Sequence, residues 1–456
     1  AFLSFFNILY SSYFDYFLNS DSYTVTLFIS LFAGCVFYFF GYKANKNIDF
    51  LDQIILILLI YFVSSIFISI PYYLSNYQIS FLNSLFESFS GITGTGFSIF
   101  ENIKYLDPTL ILWRSSSQWI GGLYFLIFLI LFFSNTQFNY KLNNLVYTSD
   151  KSLNPNTNIK KISEKIFFLY LVLTIVIFLI LIFSEIRLFN AFNLTMTLIS
   201  SGGFLPSNSL NQIIKTNFQE IVLILSFLIS MLNIFFIYNL FSKIDLIKRY
   251  HSEDIGLVLI IIIFSTVLFV TTNNLDFSEV FIVVISSISN SGISLNKIES
   301  NFSLYLLFLT IIGGSIVSNT SGIKLLRIYI LLKATSNEIL KLVRPNNVTN
   351  QYIFFSDKKI NNENIKLSFL IFIAFFFSIF ILSGILLTDN INFENSFKLS
   401  ILTLTNTVNS NNYIDQYIDF GNLLTSSKIS LIIFMIIGKI ELISFFLIMK
   451  KIFFKN

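Results

Sequence analysis

The chain has 456 residues, 55% of them hydrophobic, 18% aromatic and only 12% charged, with 29 Lys and Arg against 25 Asp and Glu. An apolar share of this size excludes an ordinary soluble domain and predicts an integral membrane protein. Cys35 is the one cysteine, which excludes a disulfide within the chain and a cysteine-based metal cluster. His251, in the polar stretch KRYHSED, is the one histidine and reads as a solvated loop residue; a zinc hydrolase or a serine triad would have to rely on it alone.

Runs such as IILILLIYFVSSIFISI (Ile54–Ile70), IFFLYLVLTIVIFLILIF (Ile166–Phe183) and LSFLIFIAFFFSIFILSGILL (Leu367–Leu387) approach or reach the roughly 20 residues that a helix needs to cross a bilayer. They are continuous rather than alternating, so helices are expected instead of barrel strands. In chain order the predicted spans are 1–18, 22–41, 51–72, 108–134, 163–185, 217–242, 254–272, 302–333, 365–388 and 427–451, ten candidate crossings. Ala1 carries no cleavable-signal pattern and, without an initiator Met, reads as a trimmed or processed start.

Four intervals between spans are too long for tight turns and too apolar for ordinary loops: SFLNSLFESFSGITGTGFSIF (80–100), LFNAFNLTMTLISSGGFLPSNS (188–209), DFSEVFIVVISSISNSGISLN (276–296) and NFENSFKLSILTLTNTVNSNNY (392–413). Each reads as a helix of about 12 residues with Phe near its front, followed by a stop rich in Ser, Thr, Asn and Gly. About 18 Å of helix cannot span the hydrocarbon, so each is expected to enter the membrane and return. The expected fold is an all-α membrane protein: helix, pore half-helix, helix, repeated four times around one pseudo-fourfold pore, after two N-terminal transmembrane helices. The corresponding divisions are 1–50 for the two N-terminal helices, then 51–140, 141–250, 251–345 and 346–456 for repeats one to four.

Placing the half-helices on the outer side leaves most Lys and Arg on the other. Only Lys104, Arg187, Lys215, Lys297, Lys398 and Lys428 fall with the half-helices, while Arg114 and Lys439 fall within spans. The bias predicts a multi-pass protein of the plasma membrane, the inner membrane in a bacterium, with the half-helices facing outside. Glu87, Glu101, Asp107, Asp276, Glu279, Glu299, Asp389, Glu394, Asp415 and Asp419 then fall on the outer side, an acidic mouth that would concentrate cations.

A half-helix aims its C-terminal carbonyls at the membrane centre, and a loop of small residues can turn further carbonyls to the same axis in place of a cation's water shell. The stops align as Thr95-Gly96-Phe97, Ser201-Gly202-Gly203, Ser291-Gly292-Ile293 and Val408-Asn409-Ser410. Candidate filter positions are therefore Gly94, Thr95 and Gly96; Ser200, Ser201 and Gly202; Asn290, Ser291 and Gly292; and Thr407, Val408 and Asn409. Any one stop taken alone also reads as a flexible turn-rich loop. Glu87 and Arg114, near the outer end of the first repeat, suit a structural pair holding the half-helix.

LFESFSGITGTGF followed by LWRSSSQWIGGLYF resembles the first filter and following helix of the TrkH/KtrB potassium transporters, a superfamily that includes the plant HKT proteins. SSGGF, GGSIVSNTSGIKLLRI (Gly313–Ile328), LTNTVNS and IGKIEL (Ile437–Leu442) extend the likeness over nearly the whole chain, and the two extra N-terminal spans favour the TrkH branch. The resemblance implies K+ uptake, with K+ as the transported ion and no organic cofactor. It implies a homodimer in membrane lipid, gated by a cytosolic nucleotide-binding subunit of the TrkA or KtrA type, and no nucleic-acid partner. Basic loops such as SDKKINNENIK are candidate docking segments, or contacts to anionic lipid. The filter roles carry to Gly96, Gly202 and Gly292, whereas Asn409 stands where the family usually has glycine, which leaves a Na+-permeable or mixed cation transporter as the alternative.

The resemblance also makes the polar break GGSIVSNTSG in the eighth span an intramembrane gate, through Gly313, Gly314, Ser315, Ser318, Asn319, Ser321 and Gly322, with Lys439 below the filter where the family usually has arginine. Close packing of helices through small residues is the other reading of the break, and pairing with Glu441 or reaching to the cytoplasmic face is the other reading of Lys439. Two further classes stand as rivals. A lipid-linked transferase would need acidic or His-rich catalytic loops, and a carrier for organic solutes would be expected to show inverted repeats, whereas these four run in the same sense.

Overall fold

The computed structural model describes residues 1–42, 50–134, 159–242, 252–272, 275–344, 352, 360–389, 391–442, 444–447 and 449. His251 and residues 356–359 of the loop SDKKINNENIK lie outside them.

Helix Phe2–Tyr13 and helix Ser20–Gly41 come first. Repeat one follows as Phe50–Leu74, the short Phe81–Thr93 and Pro108–Ser134; repeat two as Ile159–Phe183, the short Leu188–Ile199 and Asn217–Met231 with Ile234–Ser242. Repeat three is Ser252–Thr271, the short Phe277–Ile288 and Ser303–Ile312 with Leu325–Val343; repeat four is Asn362–Leu386, the short Phe393–Leu404 and Thr425–Lys439. Among the described residues, Ser20–Gly41, Leu51–Leu74, Ser163–Phe183, Glu253–Thr271 and Asn362–Asp389 are long and apolar enough to cross a membrane. The protein is therefore a multi-pass helical membrane protein built on the expected helix, half-helix, helix plan.

Burial separates the two kinds of helix. The apolar stretch of Ser20–Gly41 is only 6% buried, with Phe28, Phe32 and Phe37 projecting outward, as a surface facing lipid hydrocarbon would be. In contrast, nearly every residue in the second half of each short helix is buried, including Ser88, Ser90 and Thr93 in the first and Thr195 and Thr197 in the second. These hydroxyls donate to carbonyls of the preceding turn, Ser88 Oγ to Leu85 O at 2.8 Å and Thr195 Oγ1 to Ala191 O at 2.7 Å, so polar residues are carried inside without unpaired donors. Ser80 caps the first short helix by accepting from Asn83 N, and Asp276 and Asn392 hold the same position in the third and fourth. Arg187 takes that place in the second, against the preference of the helix dipole.

In the first and fourth repeats glycine sets how closely the inner helix can approach the short one. A Cβ on Gly121 would collide with Ile92 O, and one on Gly438 would collide with Leu404 O. Ile92 and Leu404 both lie in the last turn of their short helices, so the first and fourth repeats use the same backbone-to-backbone contact.

Four predicted spans differ in outline. The first, 1–18, is helical over Phe2–Tyr13, and the chain turns at Asp15 with φ 57° before the second helix. The sixth, 217–242, breaks at Leu232 and Asn233, with neither proline nor glycine there to announce it. The eighth, 302–333, is two helices separated by twelve non-helical residues, and the tenth is interrupted after Lys439, with Glu441 at φ 62° and helical residues again at 442 and 444–447. These last three breaks meet one another in space, and each is explained by the groups it meets, as described below. Gly438→Ala is expected to destabilise the protein by about 1–3 kcal/mol through overpacking; a lowered apparent melting temperature of the detergent-solubilised chain is the measurement.

Candidate functional site

Each short helix ends in the same backbone figure. A hydroxyl residue comes first, Thr93, Ser200, Ser289 or Thr405, and its Oγ bonds back to Phe89 O, Met196 O, Ser286 O or Ile401 O at 2.7, 2.8, 3.1 and 2.9 Å. A left-handed residue follows: Gly94 (φ 78°), Ser201 (55°), Asn290 (61°) and Asn406 (49°). The next positions are Thr95, Gly202, Ser291 and Thr407, and then Gly96, Gly203, Gly292 and Val408.

This register differs by one residue from the sequence alignment in two repeats. Matching hydroxyl-glycine pairs placed Gly202 and Asn409 opposite Gly96, whereas the left-handed residues place Gly203 and Val408 there. The left-handed site sets the register, and only in the first repeat is it a glycine, so counting glycines misplaces the others. The contacts agree. A Cβ on Gly96 would lie 2.9 Å from Gly203 Cα, one on Gly203 would lie 2.5 Å from Val408 Cβ and 3.1 Å from Ser291 O, and one on Gly292 would lie 3.0 Å from Val408 Cγ1.

Above these four residues is a cavity of about 380 Å³, whose lining includes Gly96, Gly203, Gly292 and Val408 together with Phe97, Phe204, Ile293 and Asn409. Gly202 is not in that lining. The acidic mouth expected from sequence is not built as such, because among the described residues Glu101 is the one carboxylate lining the cavity. Other outer carboxylates serve the scaffold: Asp415 pairs with Lys297 at 2.9 Å, Glu394 with Lys398 at 2.6 Å, and Asp107 accepts from Asn19 Nδ2 at 3.2 Å.

Glu87 and Arg114 do pair, Nε to Oε1 at 2.9 Å, and both are buried. The other carboxylate oxygen accepts Ile99 N at 2.9 Å, Arg114 Nη2 donates to Ser98 Oγ at 2.9 Å, and the guanidinium lies 4.1 Å from the Phe204 ring centroid. One ion pair thus ties the short helix to the strand-like return of its own loop, to the inner helix, and to the neighbouring repeat.

Beneath the stops runs the segment Gly313–Lys324. Asn319 Nδ2 donates to Ile199 O at 2.6 Å, Asn290 Oδ1 accepts Ser321 N at 3.1 Å, and Asn406 Oδ1 accepts Ser321 Oγ at 2.9 Å. Asn406 Nδ2 also reaches Thr95 Oγ1 and Met435 O, both at 2.9 Å. The segment is therefore bonded directly to the second, third and fourth stops. Gly313 and Gly322 take positive φ, 66° and 79°, Ser318 Oγ bonds within the segment to Ser315 O, and Gly314 N donates to Thr320 Oγ1 at 3.0 Å.

Lys439 is buried below the first stop. Its Nζ donates to Asn319 O at 3.0 Å, lies 4.6 Å from the Phe125 ring centroid, and would be 3.6 Å from a Cβ on Gly94. Glu441 pairs instead with Arg327 at 2.7 Å, so the Lys439–Glu441 pair weighed from sequence does not form. Lys324, one of the Lys and Arg expected on the side opposite the half-helices, is buried, with Nζ on Thr320 O, Thr320 Oγ1 and Ser318 Oγ. Gly203, Lys324, Asn406 and Phe125 are the residues of this site that sequence reasoning missed; a polar Asn in place of glycine at the helix stop was the available signal for Asn406.

The helix breaks supply each other's hydrogen bonds. Interrupting the inner helix of repeat two frees Met231 O and Ile234 N, which pair with Ser315 N and Val317 O, both at 3.0 Å. Asp254 Oδ1 accepts Asn233 N at 2.8 Å, and its neighbour Glu253 accepts Ile316 N at 3.0 Å.

The model of the TrkH family, described as a cation transport protein, matches residues 24–255, half of the chain. The chain belongs to the TrkH family. An uncharacterised cation transporter of Methanocaldococcus jannaschii is 27% identical over 441 residues, covering 93% of this chain and 89% of that one. The Trk system potassium uptake protein TrkH of Salmonella typhimurium is 23% identical over 346 residues, 72% of this chain and 71% of its own. The crystal structure of the potassium transporter TrkH from Vibrio parahaemolyticus superposes with a TM-score of 0.84 over 98% of this chain and 96% of that one, at 19% identity, which establishes a shared TrkH fold. In this TrkH-family chain, Arg114→Ala leaves Glu87 buried without its partner and is expected to cost about 3–5 kcal/mol. Thermal unfolding in detergent measures it, with Arg114→Lys recovering only part because a lysine cannot reproduce the fork.

Proposed function

We propose that this protein takes up K+ across the plasma membrane through a ring of main-chain oxygens at the four stops. The observation that carries the reading is the gathering of Gly96, Gly203, Gly292 and Val408 at the floor of one outer cavity. Carbonyls presented there by buried short helices can replace the water shell of a monovalent cation without moving far themselves. Of the positions read from sequence, Gly94, Thr95, Gly96, Ser200, Ser201, Gly202, Asn290, Ser291, Gly292, Thr407 and Val408 form this path, with Gly203 added. Gly202, like Thr95, Ser291 and Thr407, sits one step before the ring, and Asn409 lines the cavity above it.

The segment Gly313–Gly322 acts as the gate, with Lys439 as a positive barrier directly beneath the path. Its polar side chains make the closed arrangement self-satisfying, and opening exchanges those bonds for water. The protein works as a homodimer in lipid, with the short helices outside as the Lys and Arg bias indicates, and a cytosolic nucleotide-binding subunit of the TrkA or KtrA type moves the gate. The names of the relatives, potassium uptake protein and cation transporter, support K+ as cargo.

Expression in cells lacking their own K+ uptake is expected to restore growth at micromolar K+ and to bring in Rb+. Gly96→Leu is expected to abolish Rb+ entry while leaving the amount of protein in the membrane unchanged, and persistence of entry would sink the filter assignment. Lys439→Ala is expected to raise Rb+ entry roughly threefold or more by removing the barrier charge; unchanged or lower entry at equal protein level would count against the gate.

A further inference from the structure

The inner helix of repeat one holds the second stop as well as its own. Gln118, buried in Pro108–Ser134, accepts the backbone N–H of Phe204 on Oε1 at 3.3 Å. Arg114, one turn earlier on the same helix face, sets its guanidinium 4.1 Å from the Phe204 ring centroid. The carbonyl of Phe204 is held too, by Thr197 Oγ1 at 2.9 Å. Phe204, the residue directly after Gly203, is thus gripped at its amide, its carbonyl and its ring.

The Gln118 amide is closely seated. A Cβ on Gly202 would collide with its Oε1, Cδ and Nε2 together, so the amide plane rests against the glycine. Gly202 is not among the residues with positive φ, so its backbone would accept a side chain; the Gln118 amide is what such a side chain meets first. Among the described residues, Gln118 Nε2 has no hydrogen-bond partner in the protein. A buried amide paired on one side only costs stability that an apolar side chain of the same length would not, so packing does not account for a glutamine here.

We propose that Gln118 is a positioning residue that aims the Gly203 carbonyl into the ion path. The inference rests on the filter reading above. A trans peptide unit is planar, and its N–H and C=O point in opposite directions. In the unit joining Gly203 to Phe204 the N–H is turned back to Gln118, which stands behind the stop and outside the cavity lining, so the Gly203 carbonyl is turned toward the cavity floor. Glycine has no side chain to restrain that unit, and without the Gln118 acceptor the unit can rotate and carry its oxygen off the axis. The cation then loses one replacement for its water shell and binds more weakly.

The test is the concentration dependence of Rb+ entry in cells lacking their own K+ uptake, with the amount of protein in the membrane measured alongside. A merely structural residue changes the amount of working protein and so the maximal rate, whereas a positioning residue changes the half-saturating concentration. Gln118→Met keeps the length of the side chain and removes the acceptor; it is expected to raise half-saturating Rb+ roughly fivefold. A wild-type value overturns the proposal. Should that variant not reach the membrane, Gln118→Ala is read in its place, and a wild-type value there overturns it equally. Gly202→Ala is expected to push the amide off Phe204 N and give a similar rise, and to add nothing in a Gln118→Ala background, since both changes break one bond. A further rise in the double variant overturns the seating of the amide on Gly202. Gly96→Leu tells the filter reading apart: Rb+ entry that persists there sinks that reading, while abolished entry there with an unchanged half-saturating value in Gln118→Met sinks this proposal alone.

Discussion

The arrangement depends on one constraint: inside a membrane every backbone polar group must find a partner within the protein or face water. The four stops and the segment Gly313–Lys324 both depart from regular helical bonding, so each has to be surrounded by protein. The long outer helices do this by facing outward with Phe and Ile and inward against the short helices, whose last turns are almost wholly buried. Much of what lies inside is polar, with Thr and Ser bonding back along their own helices.

The same constraint explains why the irregular segments occur together. A helix broken alone at Leu232 would leave Met231 O and Ile234 N without partners. The loop of repeat three offers Ser315 N and Val317 O at the matching separation, so two breaks complete each other where one would be costly. Asp254 and Glu253, at the start of the third repeat's outer helix, hold the remaining amide groups at Asn233 and Ile316. Arg327, in the first turn of the helix after the loop, then pairs with Glu441 at the break in the last span. The loop of repeat three is therefore bonded to repeats two and four together.

The four repeats are alike in plan and unequal in detail. All share the hydroxyl residue and the left-handed residue at the end of the short helix, yet the left-handed position is filled by Gly, Ser, Asn and Asn. The two asparagines use their amides to reach the loop below, a contact that glycine cannot make. The unequal residues are thus where the stops are tied to the segment Gly313–Lys324.

Periodic composition made the plan legible without coordinates: a continuous apolar run has to be a membrane helix, and four runs of about 12 residues ending in small polar residues have to turn back. The Glu87–Arg114 pair was also legible, since two opposite charges at the same depth in neighbouring helices have little choice of partner. The register of the stops was not, because glycine is only one of several residues that take the left-handed conformation: Ser201, Asn290 and Asn406 take it here, the two asparagines with side-chain partners distant in the chain. Nor was the break at Leu232, whose neighbours in sequence do not differ from those of an ordinary span, or the burial of Lys324, whose partners at Ser318 and Thr320 depend on how the segment folds back. Local sequence determined which segments cross and which return; only tertiary structure decided where the backbone may leave the helix, because the groups that satisfy a freed amide or carbonyl come from another repeat.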